Sequence, residues 1–175
     1  MTSTARVLAI AIALPFGAAM SASAQPKIDD AQIAAVAVAA NQVDVDAGKL
    51  ALSKAKSADV KQFAQTMVTD HSGAIKAASD LVGKLKVTPK ENDTSKALVK
   101  DGREARAKLT KLSGDAFDKA YIDSEVGYHE TVVKALDETL IPNAQNSELK
   151  GLLTSVRGVA AAHLDHARQL QKTVK

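Results

Sequence analysis

Beyond position 29, apolar residues recur every three or four positions, and no β-branched run alternates as a strand would. The first segment with this period spans roughly Asp29 to Ala55. Its inner stripe is Ile33, Val36, Ala37, Ala40, Ala47, Leu50 and Ala51, and Asp44 lies on that stripe. Ser57 suits the N-cap of a second helix, Asp59 complements the dipole in its first turn, and the period continues to about Lys86. The run from Thr88 to Asp93 is the longest connection, because Pro89 cannot extend a helix and disfavours one at Thr88. A shorter, highly charged helix is predicted over about Thr94 to Leu112, with a break at Ser113-Gly114. A fourth runs from Asp115 to Leu140, ended by Pro142 and Asn143. Asn146 or Ser147 then caps a last helix that reaches about Lys172. Short connections between long helices imply antiparallel neighbours. The pattern predicts an all-α, up-and-down bundle of four long helices plus one shorter helix.

The four histidines of the chain all fall on or beside these stripes. His71 continues Val60, Phe63, Ala64 and Met67, and His129 continues Ile122 and Glu125/Val126. His163 continues Leu149, Leu152, Val156, Val159 and Ala160, with His166 nearly one turn further on. A helix buries one stripe, so imidazoles on stripes point to a shared interior, which is how ligand and metal sites are built in bundles.

The region before Asp29 reads differently. Arg6 precedes the apolar run Val7–Leu14, and Ala22-Ser23-Ala24 is a small-residue cleavage site. Residues 1–24 are therefore expected to be a secretory signal peptide and 25–175 a single exported domain of the periplasm or cell envelope. The apolar run is broken by Pro15 and Gly17 and is shorter than the roughly 20 residues that span a bilayer. No later stretch is apolar enough, so no transmembrane segment is expected after signal removal. The chain has no cysteine, which excludes disulfides and thiolate metal ligands and leaves stability to packing. Its formal charge is +3, or +2 without Arg6, and lysines are interspersed with acids. That pattern gives no footprint for nucleic acid, while an envelope partner stays open.

The segments Asp44–Ala51, Val60–His71 and Leu112–Tyr121, together with His129, resemble the bacterial exported family known as domain of unknown function 4142. The likeness runs from about Gln32 to Gln171. Phe63-Ala-x-x-Met67-Val-x-Asp70-His71 and Ser113-Gly-x-x-Phe117-Asp-x-x-Tyr121 are its specific blocks. The resemblance implies a ferritin-like helical bundle in the envelope with no settled activity. It carries over Asp70, His71, Phe117, Asp118, Tyr121, His129 and His163. Asp44 and Asp46 stand where such relatives typically have glutamate, and aspartate reaches less far. His166 is an addition of this sequence.

Helical rise of about 1.5 Å per residue sets His71 level with Gln42–Asp44 and His163 level with Glu125. Glu125 and His129 share one face. The candidate metal ligands are therefore His71, His129, His163, Glu125, Asp70 and Asp44, with Asp70 suited to orienting an imidazole. Whether His71 joins the others depends on the long third connection. Ferritin-like di-iron proteins use Glu-x-x-His pairs, but Val68, Val126 and Ala160 occupy those positions here. An imidazole-rich, carboxylate-poor site suits one Zn²⁺, Cu²⁺, Ni²⁺ or Fe²⁺ ion. Asp118 and Tyr121, just past the Ser113-Gly114 break, are expected to fix the start of the fourth helix through hydrogen bonds. No catalytic motif stands out, so a binding protein, acting in envelope stress tolerance, is favoured over an enzyme. The alternative is a structural or interaction module whose buried histidines bond to Asp70, Asp44, Glu125 or Tyr121.

Overall fold

The computed structural model describes residues 27–174, and these are helical with no strand among them. The expected signal segment lies outside the described residues. Helix α1 is Asp30–Lys54, and Asp29 caps it in a reciprocal box with Gln32. Helix α2 is Ala58–Leu85, capped by Ser57 and closed by Lys86 in the left-handed region at φ +53°. Helix α3 is Asp93–Thr110, capped by Asn92 in a box with Ser95. Helix α4 is Gly114–Ala135. It starts at Gly114, one residue before the predicted Asp115, and φ +58° at Gly114 is a conformation that glycine adopts without strain. Helix α5 is Ser147–Gln171, capped by Asn146, whose Oδ1 accepts from the Glu148 and Leu149 backbone N–H groups.

Pro142 does not end α4 where the sequence suggested. A π turn over Leu136–Leu140 widens the helix, and the Ile141 N–H reaches back to the Leu136 carbonyl. The chain then stays helical through Asn143. A π bulge shifts the hydrogen-bond register, so the missing proline donor falls in a short final turn where it costs little.

The pairings α1–α2, α2–α5, α5–α4 and α4–α1 close a ring of helices, and α3 lies outside it against α1 and part of α4. Helix α1 therefore has neighbours on several sides. That explains why Ala34, Ala35, Val45 and Gly48 are buried although they lie off the predicted stripe. Val159, placed on the α5 stripe by spacing, is 44% exposed, and Leu153, Leu164 and Ala167 face inward instead. No described helix is long and apolar enough to cross a membrane.

The interior is layered. One apolar cluster fills the end near the α1–α2 turn, with Phe63, Met67, Phe117, Tyr121 and Ile122. Another fills the opposite end, with Ile33, Val36, Leu136, Leu140, Leu149 and Leu153. Between them lie the buried polar residues Asn41, Asp44, His71, Glu125, His129 and His163. Transfer of such groups from water is costly unless they are partnered, so their pairing decides what the layer is for.

Candidate functional site

His71 enters the layer from α2, Asn41 and Asp44 from α1, Glu125 and His129 from α4, and His163 from α5. The imidazole rings form a triangle, with centroids 5.6 Å apart for His71–His129, 5.1 Å for His71–His163 and 5.5 Å for His129–His163. The third connection thus does bring His71 to the others.

Hydrogen bonds decide which nitrogen of each ring faces inward. Asn41 Nδ2 donates to the Ala37 carbonyl at 2.7 Å, which turns Asn41 Oδ1 toward His71 Nδ1, also at 2.7 Å. Oδ1 can only accept, so His71 Nδ1 carries the proton. His129 Nδ1 donates to the Glu125 carbonyl at 3.0 Å, and His163 Nε2 donates to Asp70 Oδ2 at 3.0 Å. A neutral imidazole has one N–H, and here each is spent on an outer partner. The remaining nitrogens, His71 Nε2, His129 Nε2 and His163 Nδ1, are buried lone pairs without a hydrogen-bond partner. Burial holds all three rings below their ordinary acidity range, His71 at about 3 and His129 at about 4. They are accordingly neutral, the form in which imidazole binds metals.

The carboxylates complete the centre. Asp44 Oδ2 lies 3.5 Å from His71 Nε2, and Glu125 Oε2 lies 3.4 Å from His129 Nδ1 with no hydrogen-bond partner. Aspartate is long enough because α1 and α2 nearly touch one turn away. A Cβ on Gly48 would sit 2.9 Å from Val68 Cγ2 and 3.0 Å from the Ala64 carbonyl oxygen. Burial pushes the Glu125 carboxyl up to about 8, partly offset by Tyr121 and Asp44 beside it. Asp44 is raised well above the usual range by burial and then by the charge of Glu125. Burial likewise raises the Tyr121 hydroxyl, and the neighbouring Glu125 and Asp44 add to the rise.

Donor atoms of His71, His129 and His163 all lie within 4.8 Å of one another, as do those of Asp44, Glu125 and His129. The six sequence candidates therefore occupy one neighbourhood in two tiers. His71, His129, His163, Asp44 and Glu125 surround the centre, whereas Asp70, with its side chain 41% exposed, holds His163 from behind. The sequence reading named both buried acids that stand among the imidazoles, Asp44 and Glu125, while describing the site as poor in carboxylates. It also missed Asn41, although an asparagine inside an alanine-rich helix interior is disfavoured and signals a local purpose.

Two neighbours behave otherwise than expected. Asp118 does not fix its own helix. Its oxygens accept from the Lys56 and Ser57 backbone N–H groups at 3.0 and 2.7 Å, which secures the α1–α2 turn. Tyr121 makes no hydrogen bond at the start of α4 and packs against Phe63 and Phe117. The His166 ring sits edge-on to Phe63 at 5.2 Å, among apolar side chains and outside the triangle.

Such a group could hold a metal ion: a nitrogen of each neutral imidazole lies within 4.8 Å of the other two, each ring keeps one unpartnered lone pair, and two acids can supply negative charge. No curated protein and no solved structure matches the chain. A family model does, over residues 16–170, and the chain belongs to the family described as Domain of unknown function (DUF4142).

Proposed function

We propose that this chain is an exported, ferritin-like helical-bundle protein of the cell envelope. It binds one divalent ion of the Zn²⁺, Cu²⁺, Ni²⁺ or Fe²⁺ class through His71, His129 and His163. Asp44 and Glu125 lie within reach as further ligands, and Asn41, Asp70 and the Glu125 carbonyl orient the rings. One observation carries the reading: each imidazole has spent its only proton outward, leaving three buried lone pairs with no partner. Outer hydrogen bonds of this kind are what set the tautomer of metal-ligating histidines.

A purely structural polar network accounts for less. The three rings cannot satisfy one another, because each has already spent its one N–H elsewhere. A protonated Asp44 is the nearest candidate, but 3.5 Å to His71 Nε2 is long for such a bond. The two acids suit an ion better, since their protons would leave as it binds. Export rests on Arg6, the Val7–Leu14 run and Ala22-Ser23-Ala24.

Metal analysis of protein purified without a tag tests the reading, with about one ion per chain expected. A thermal melt should also shift on adding chelator. Absence of metal, with no shift on adding Zn²⁺, Cu²⁺, Ni²⁺ or Fe²⁺, would leave the envelope scaffold as the surviving account. We assign the envelope role to stress tolerance. A strain lacking the chain should grow less well under metal excess, and unchanged growth removes that part.

A further inference from the structure

A cavity of about 260 Å³ opens between α1, α3 and α4. Val43, Leu98, Ala105 and Leu109 form its largely apolar walls, and Asp44 and Glu125 lie at its buried end. Those two acids are the ones beside the centre, Asp44 at 3.5 Å from the unpartnered Nε2 of His71 and Glu125 at 3.4 Å from Nδ1 of His129. Glu125 is 2% exposed and its Oε2 has no partner. Asp101 adds an exposed acid to the lining, and the one cation there, Arg106, is engaged by Asp46. The cleft therefore presents carboxyl oxygens, those of the exposed Asp101 first, with no free positive charge to repel a cation.

A second groove, of about 430 Å³, approaches the same layer across α2 and α5, past Ala74, Val156 and Val159. It ends on Asn41, Asp70 and His71, the side where ring N–H groups are tied to their orienting partners. An ion arriving there would have to break the bonds that aim the imidazoles. An ion arriving beneath α3 meets carboxyl oxygens first and free lone pairs next.

Helix α3 is suited to yield. The ring of α1, α2, α4 and α5 closes without it, and only Ser95, Gly102 and Leu109 of its residues are buried. It rests on α1 at Gly102, where a Cβ would come within 2.7 Å of Val43 Cγ2 and 2.9 Å of Cγ1. Valine is stiff at χ1, so any added side chain there must lift α3.

We propose that the cleft beneath α3 is the passage by which a divalent cation reaches the three imidazoles, with α3 as its movable wall. This rests on the metal-binding reading above and adds the route and its gate. The chemistry that recognises the cation is a succession of carboxyl oxygens leading to neutral nitrogens.

The test uses Zn²⁺ alone, following uptake and release to a chromophoric chelator by stopped flow. Ala105→Trp, which obstructs the cleft from an exposed position, should slow both rates by about tenfold or more, as gating contacts do, while leaving Zn²⁺ content at equilibrium unchanged. Ala74→Trp in the other groove should leave the rates as they were. Gly102→Ala, which lifts the wall, should speed exchange. Unchanged rates in Ala105→Trp, slowing by Ala74→Trp, or no acceleration by Gly102→Ala would each overturn the passage. If the natural chain takes up no Zn²⁺ at all, the metal-binding reading fails as well, an outcome readily told from normal content with unaltered rates.

Discussion

Phe63 and His71 lie about two turns apart on α2, both buried, yet their surroundings differ in kind. Phe63 is enclosed by Met67, Phe117, Tyr121 and Ile122, and any neighbour of suitable shape would serve it. Hydrophobic burial is non-directional, so that end of the bundle is specified mainly by volume. His71 sits in a layer where each polar atom requires a partner at a defined place. Its Nδ1 has one in Asn41, and its Nε2 has none. The apolar end explains why the chain folds. The polar layer carries a cost in desolvation that folding alone does not explain, and the proposed ion is what would offset it.

The sharpest way to break this comparison is to remove one residue from each region. Phe63→Ala should lower unfolding free energy by about 3–5 kcal/mol. Denaturant titration should give the same loss with ion or with chelator, because the cavity lies outside the polar layer. A loss that depends on the ion would show that the two regions are not separate.

Next in size is removal of the ion. With ligand at 100 times its Kd, stabilisation is about 2.7 kcal/mol. Chelator should therefore lower the melting temperature of the natural chain and leave that of a His71→Gln, His129→Gln double variant unmoved. Equal chelator shifts in both would place the ion elsewhere.

Asp70 sharpens the comparison from outside the triangle. Loss of an outer partner costs about 10–100-fold in metal affinity. Asp70→Asn should thus weaken binding by that factor in competition titrations, while melts of the ion-free protein barely change at so exposed a site. A large loss of ion-free stability would instead make Asp70 part of the fold.

The mildest signature is in pH, because the layer holds groups of opposite sign. His71 is held down to about 3, so its contribution is complete above the unfolded value of 6.5 and is lost as pH falls toward 3. Glu125 is pushed up to about 8, so its contribution is complete below the unfolded value of 4.5 and is lost as pH rises through 8. Between 4.5 and 6.5 the two slopes oppose each other. Ion-free protein should then lose stability from about pH 6.5 to 8, and Glu125→Gln should flatten that decline. A decline of the same slope in Glu125→Gln would assign it to another group.

How much of this was legible beforehand differs by residue. The N-caps at Ser57 and Asn146 and the break at Ser113-Gly114 follow from local chemistry and stand within a residue of their expected places. The π turn at Leu136–Leu140 was not foreseen, since a bulge that carries a helix past Pro142 leaves no periodic trace. The buried surface of α1 is wider than its apolar stripe for a similar reason: periodicity reports one buried face, and α1 has α2, α3 and α4 against it. Asp118 shows a further limit. Its proximity to the start of α4 suggested a local role, but its acceptors face the turn between α1 and α2, some sixty residues earlier.

The sequence by itself determined the helices, their capped starts, and the inward place of His71, His129 and His163, because caps, breakers and a 3.6-residue period act within a few residues of one another. Only the tertiary structure decided that His71, His129 and His163 meet, and that Asn41, Asp70 and the Glu125 carbonyl hold their protons outward. It also set Asp44 and Glu125 between them and a cleft under α3. Those outcomes depend on the register and spacing of whole helices, which close contacts such as Gly48 on Val68 and Gly102 on Val43 set at long range.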